Sequence, residues 1–262
     1  GSRVREALLD VVLSASVAFA FQGTRAIWDP DEGRYTNVAL HMIESGNWVS
    51  PMLDHEQLHF SKPPIVYWAV ATGYRVLGRT EWAARLPNAI GFVCTALLVL
   101  GIARRLAPQR SLLAASLWAT MLGPMVAANI VSTDTLLALW ETWAVYAFVT
   151  SGALDRQPIS AARIHLMWIA FALAFMTKGP PGLLPLAGIV AWILWARPPQ
   201  AFRALLSVPS LLTFTLIGGT WYWIVSMEHS GLLSYLLQGE VASRVLTGAH
   251  ERNPGWLGWI KA

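Results

Sequence analysis

Apolar residues in this chain come in long runs separated by short polar stretches, and the runs set the expected architecture. Seven are read as membrane crossings, at about 7–23, 86–103, 111–128, 135–152, 164–178, 181–196 and 204–226. Several fall short of the ~20 residues that a perpendicular helix needs to span the hydrocarbon core. The fifth and sixth are divided at Gly179-Pro180-Pro181-Gly182, because paired prolines lack the amide hydrogens a helix interior uses and the flanking glycines favour leaving it. One kinked span is the alternative. A further apolar segment, an expected eighth span, begins at Trp256-Leu257-Gly258-Trp259-Ile260 as the sequence ends.

Two other segments are apolar on one face only. Val38, Ala39, Met42 and Ile43 recur at helical spacing, and Pro64 to Leu77 reads as a second helix of this kind, both lying at the membrane surface. Counting 64–77 as a crossing would invert every later loop. With seven crossings, one side collects Arg3 and Arg5, then Arg104, Arg105 and Arg110, then Arg156 and Arg163, then Arg197 and Arg203. Glu6, Asp10 and Asp155 are the only acids among them. Short loops rich in Lys and Arg mark the cytoplasmic side. The N-terminus is therefore expected inside, and 24–85, 129–134, the Lys178 turn and 227–255 outside. For the first span a signal peptide is the alternative, with Ala18-Phe19-Ala20 as its cleavage site.

Composition supports the membrane reading. The chain is 55% hydrophobic and 13% charged, about half the charged fraction of a soluble domain. Its net charge of +4 is carried by arginines scattered between apolar runs, which argues against a nucleic-acid surface. Cys94 is the only cysteine, so no internal disulfide forms. The charge also sits on one outer face, whereas a transporter would place polar groups or broken helices at mid-membrane.

Candidate chemistry concentrates in the outer loops. Asp29, Asp31 and Glu32 stand together before a helix; one acid there would serve the helix dipole, but three exceed that need. A carboxylate beside an acceptor hydroxyl or amine takes its proton. Lys62 is held between Phe60-Ser61 and Pro63-Pro64, and Lys178 also precedes a proline-containing turn. Either cation suits a lipid phosphate or ordinary headgroups. Asp134 ends the turn Asn129-Ile130-Val131-Ser132-Thr133 and caps a helix or lines a pocket. Glu141 lies deep in a span and is given no role. His55, His59 and His250 show no metal-binding spacing, and no Gly-rich nucleotide loop or nucleophile elbow is present.

These pieces occur in a characteristic order. Trp28-Asp29-Pro30-Asp31-Glu32-Gly33-Arg34-Tyr35, Glu44-Ser45-Gly46-Asn47-Trp48-Val49, Phe60-Ser61-Lys62-Pro63-Pro64 and Glu81-Trp82-Ala83-Ala84-Arg85-Leu86-Pro87 resemble the first outer loop of bacterial aminoarabinose transferase-like glycosyltransferases. The likeness extends more distantly to protein O-mannosyltransferases. Ser132-Thr133-Asp134-Thr135-Leu136-Leu137 and Thr177-Lys178-Gly179-Pro180 resemble two later turns of that family. Glu240, Arg244 and His250 before Pro254-Gly255-Trp256 resemble another.

The resemblance implies an all-α polytopic membrane protein, a GT-C-like bundle of about seven transmembrane helices forming a single domain over 1–262. It implies an enzyme of the bacterial inner membrane that takes sugar from a polyprenyl-phosphate donor at the outer face. The acceptor would be a lipid, glycan or protein. Carried over by position, Asp31 is the catalytic carboxylate, with Asp134 and Glu32 as further acids. Arg34 and Lys62 hold the carrier phosphate, with Lys178 and Arg244 in support and Tyr35, Glu240 and His250 as additional pocket residues. The aminoarabinose transferases carry Glu before the Lys-Pro, where this chain has Ser61, so a divalent metal is left open. A non-catalytic relative serving in a membrane complex is the alternative.

Overall fold

A computed structural model describes residues 2–28, 30–54, 57–155, 157–198, 200–229 and 231–232. They form α1 (Ser2–Phe19), α2 (Asp31–Ser45), α3 (Ile65–Leu77), α4 (Glu81–Leu106), α5 (Ser111–Thr120), α6 (Leu122–Ala128), α7 (Asp134–Val149), α8 (Ala161–Lys178), α9 (Leu184–Ala196), α10 (Ala201–Leu205) and α11 (Val208–Glu228). Among the described residues the only strand-like pairing is an isolated bridge between Met52 and Leu58. The chain divides into two compact units, 1–218 and 219–262. Every site discussed below lies in the first. In the second, the Trp221 and Tyr222 rings meet edge to face at 5.0 Å.

A helix stands at each expected crossing, but length and apolar character separate them. Glu81–Leu106, Ala161–Lys178 and Ala201–Glu228 are long and apolar enough to cross a membrane. A fourth is added if 108–120 and 122–128, bent by 61° at Met121, form one broken span. α9 has 13 residues, about 20 Å of helix against a ~30 Å hydrocarbon core. Seven full-length spans are therefore not what these helices establish. At Gly179–Gly182 the chain does break. α8 ends at Lys178, Gly179 turns with φ of 73°, and a 3-10 turn at Pro180–Leu183 leads into α9. Gly182 lies so close to the end of α8 that a Cβ there would sit 2.5 Å from the Ala174 carbonyl carbon.

The one-sided helices pack as protein core. Val38, Ala39 and Met42 of α2 are buried, with Ile43 packed beside them. On α3, Val66, Tyr67, Val70, Ala71, Gly73 and Tyr74 are buried. α4 starts earlier than the hydrophobic pattern suggests, because the Thr80 side chain accepts a hydrogen bond from the Ala83 amide and Glu81 occupies the first turn. Residues 81–85, expected in the outer loop, thereby join the helix.

Pro87 inside α4 has no amide hydrogen for the Ala83 carbonyl four residues back. Gly73 of α3 approaches that oxygen, and a Cβ on it would stand 2.5 Å away. Gly73→Ala is therefore expected to cost about 1–3 kcal/mol by pushing α3 from α4. Thermal unfolding of the detergent-solubilised protein checks this. Gly123→Ala, whose Cβ would meet nothing within 4 Å, is expected to leave the unfolding temperature unchanged or slightly raised.

Candidate functional site

The site is built on a buried ion pair. Glu32, in the first turn of α2, and Arg85, in the second turn of α4, are both fully buried. Arg85 Nε meets Glu32 Oε1 at 2.9 Å and Nη2 meets Oε2 at 2.9 Å, a two-pronged contact between planar groups. Arg25 Nη1 adds a bond to Oε2 at 2.6 Å, and the amides of Trp28 and Val131 donate at 2.9 and 2.8 Å. The remaining Arg85 donors reach the carbonyls of Gln22, Arg25 and Ala26 at 2.8, 3.0 and 2.9 Å. Burial alone would push the Glu32 carboxyl up. The donors from Arg85, Arg25, Val131 and Trp28 outweigh it and hold the carboxyl at about 2.

This hub joins three segments far apart in sequence. Arg25 Nη2 also donates to the Asn129 carbonyl at 2.7 Å, and the Asn88 amide on α4 donates to the carbonyls of Ile130 and Ser132. The turn 129–133 is thus held by donors from α4 and from the segment before α2. That turn delivers Asp134 at the first position of α7.

Above the hub, the expected acids and cations converge. The Asp31 side chain is 71% exposed and lies 3.6 Å from Arg34 Nη2, one turn on. Tyr35 links the two acidic segments electrostatically: its hydroxyl is influenced by Thr133 and by the charges of Asp134, Asp31 and Arg34. Burial raises the Tyr35 hydroxyl, Thr133 partly offsets this, and the two carboxylates add to the rise, so it stays neutral at physiological pH. Lys178, from the end of α8, forms an ion pair with Asp134. Beside them an open hollow of about 510 Å³ is lined by Pro30, Gly33, Arg34, Thr36, Asn37, Leu40 and Leu53.

Lys62 approaches from a different segment. It is half-buried, and its Nζ donates to the Ser61 carbonyl at 3.1 Å. The Ser61 hydroxyl pairs with His59 Nε2 at 2.8 Å. The His59 ring stands edge-on to Tyr67 at 6.3 Å, and Tyr67 packs on Tyr35 at 5.8 Å. Asp31, Glu32, Arg34, Tyr35, Asp134 and Lys178 are thus brought together, with Lys62 joined through a chain of rings. Asp29, Glu240, Arg244, His250 and His55 lie outside the described residues.

Among the described residues no three His, Cys, Asp or Glu side chains converge as a metal site would require. Where the resembled family has Glu, the Ser61 hydroxyl is spent on His59. The described side chains do not fit a divalent cation, and no step is routed through one. Arg25 and Arg85 received no role from the sequence. The available signal was an arginine in a stretch that otherwise reads as the start of an apolar helix, where an unpaired charge is costly.

The arrangement offers an exposed carboxylate for a proton, nearby cations for an anion, and a rigid base beneath both. Comparison with known proteins points the same way. The family model for dolichyl-phosphate-mannose-protein mannosyltransferase matches residues 61–227. An undecaprenyl phosphate-alpha-4-amino-4-deoxy-L-arabinose arabinosyl transferase of Erwinia tasmaniensis is 30% identical over 239 residues, covering 88% of this chain and 42% of that protein. An uncharacterized protein of Aquifex aeolicus is 29% identical over 221 residues, covering 82% of this chain and 49% of that one. The crystal structure of ArnT from Cupriavidus metallidurans bound to undecaprenyl phosphate matches with a TM-score of 0.77 and 26% identity, over 90% of this chain and 44% of that one. The chain spans about half, or less, of the length of the curated relatives it matches.

Proposed function

This chain belongs to the dolichyl-phosphate-mannose-protein mannosyltransferase family, and we propose that it forms the membrane-embedded, site-bearing part of a glycosyltransferase. It moves a sugar from a polyprenyl-phosphate carrier to a hydroxyl or amine of a lipid, glycan or protein. The membrane is the bacterial inner membrane, with the arginine-bearing loops and N-terminus in the cytoplasm and the site outside. Helices α1, α7 and α9 complete seven crossings alongside α4, α5–α6, α8 and α11.

The observation that carries this reading is Asp31, an exposed carboxylate in the first turn of α2 next to the buried Glu32–Arg85 pair. The acceptor O–H or N–H gives its proton to Asp31 as its lone pair attacks the anomeric carbon. The bond from that carbon to the phosphate oxygen breaks, and its electrons leave with the polyprenyl phosphate. Arg34, Lys62 and Lys178 neutralise that leaving group. Asp134, already paired with Lys178, holds that ammonium in place. Glu32 is assigned here to holding the site together and not to proton transfer, because both of its oxygens are occupied by donors from the chain.

The test is transfer of radiolabelled sugar from a panel of polyprenyl-phosphate donors in membranes containing the protein. Consumption of at least one donor is expected. Folded full-length protein that consumes none would overturn the enzyme reading in favour of a non-catalytic subunit. Arg34→Gln is expected to lower kcat/KM for the donor by roughly 10- to 100-fold, the loss of one hydrogen bond to a charged group of ~1.5–3 kcal/mol.

A further inference from the structure

We propose that the turn joining α9 to α10 is a binding site for the headgroup phosphate of an anionic phospholipid. This site is separate from the one above and does not depend on sugar transfer. A hollow of about 550 Å³ opens there, and its lining combines apolar Ile193, Leu194, Pro198 and Phe202 with Arg197, Gln200 and Arg203. Two guanidinium groups face it and no carboxylate lines it.

Three other arginines of that face are already engaged. Arg104 is paired with Glu6, Arg105 with Asp155, and Arg163 lies over the Tyr146 ring at 5.8 Å. Arg197 and Arg203 have no carboxylate partner among the described residues. A guanidinium presents a planar fork of donors that matches a phosphate, and it is held more weakly by water than an ammonium.

The backbone supports the same assignment. Arg197 and Gln200 are the non-glycine residues with positive φ among those described, at 47° and 61°. Glycine would adopt this conformation without the steric cost that side chains meet there. Their side chains are what the turn keeps by not using glycine, and both line the hollow.

The occupant is decided by the apolar half. Leu194 is 58% exposed and Phe202 45%, and Trp195 beside them is 83% exposed, as suits an indole at the headgroup level. Free phosphate would satisfy the arginines and leave this surface uncovered, whereas a phospholipid places its phosphate on the arginines and its acyl chains on the apolar side chains.

The experiment titrates the full protein, in non-ionic detergent, with phosphatidylglycerol or with phosphatidylcholine of the same chains, and reads bound lipid by native mass spectrometry. Phosphatidylglycerol is expected to bind about tenfold or more tightly than phosphatidylcholine. Arg197→Gln with Arg203→Gln is expected to remove that preference, at about fivefold per arginine. Arg110→Gln, on the same face but outside the hollow, is expected to keep it. Equal binding of the two lipids, an undiminished double variant, an equal loss in Arg110→Gln, or displacement of the lipid by millimolar inorganic phosphate would each overturn the proposal. Because the double variant alters a turn, the wild-type protein is also crosslinked to phosphatidylglycerol carrying a photoreactive headgroup. Label within 193–203 supports the site, and label found only elsewhere overturns it.

Discussion

Asp31→Asn is expected to lower sugar transfer by about 10²- to 10⁴-fold, the usual contribution of a positioned general base, while the protein folds as before. The two parts of this prediction rest on different observations. Its effect on rate follows from the position of Asp31 over the hub, one turn from Arg34 and within the field of Tyr35. Asparagine keeps the shape and the acceptor oxygen but cannot take up a proton. Its small effect on stability follows from exposure: the side chain is 71% accessible and its one ion pair is long, at 3.6 Å. Surface pairs of this kind contribute ~0–1 kcal/mol. Radiolabel transfer and thermal unfolding, measured on the same preparation, separate the two. A variant that turns over at the wild-type rate would remove Asp31 from the chemistry. One that loses activity and stability together would place Asp31 in the scaffold instead.

Arg85→Met should do the opposite, acting first on the fold. It leaves Glu32 buried and charged without its two-pronged partner, strips the carbonyls of Gln22 and Arg25 of their donor, and leaves that of Ala26 with Arg25 alone. Removing one member of a buried pair costs about 3–5 kcal/mol. The depression of the Glu32 carboxyl to about 2 from an ordinary 4.5, to which Arg85, Arg25 and the amides of Val131 and Trp28 all contribute, has the same direction.

The sign of the pH dependence follows from that depression. The stabilisation is fully present above about 4.5 and is lost as pH falls towards 2, because the unfolded chain takes up the carboxyl proton more readily than the folded one. Unfolding temperatures of the wild-type protein should therefore drop across this window, and those of Arg85→Met should drop less. Glu32→Gln with Arg85→Met should be less costly than Arg85→Met alone, since no buried carboxylate is then left short of donors. A double variant equal to the sum of its two single changes would show that the pair is not coupled.

The elements that were legible in the sequence are those whose cause is local. The break after Lys178 follows from two prolines between two glycines, and the structure ends α8 there. The buried face of α2 follows from Val38, Ala39, Met42 and Ile43 at helical spacing. The start of α4 was misplaced because Trp82-Ala83-Ala84 carries no strong periodicity of its own, and the decisive bond, from the Ala83 amide to Thr80, is a capping contact. The crossings were harder still. An apolar run in sequence says that a helix is wanted, but not that it bends by 61° at Met121 or that α9 runs for only 13 residues.

The candidate site divides in the same way. Clustered charge beside apolar runs, costly wherever it occurs, was enough to mark Asp31, Lys62, Asp134 and Lys178, and the family resemblance added Arg34 and Tyr35. Their partnerships were not visible. Glu32 and Arg85 are 53 residues apart, and Asp134 and Lys178 are 44 apart. No pattern of local spacing links such residues. Only when α2, α4, α7 and α8 pack do those side chains meet, and only then does burial distinguish Glu32, locked between two arginines, from its neighbour Asp31, which stays open to solvent. The sequence by itself determined which segments become helices and where charge is concentrated, since both follow from short-range sterics and solvation. Tertiary structure decided which acid is free to react and which is structural, because that depends on electrostatic contacts between residues the chain brings together from far apart.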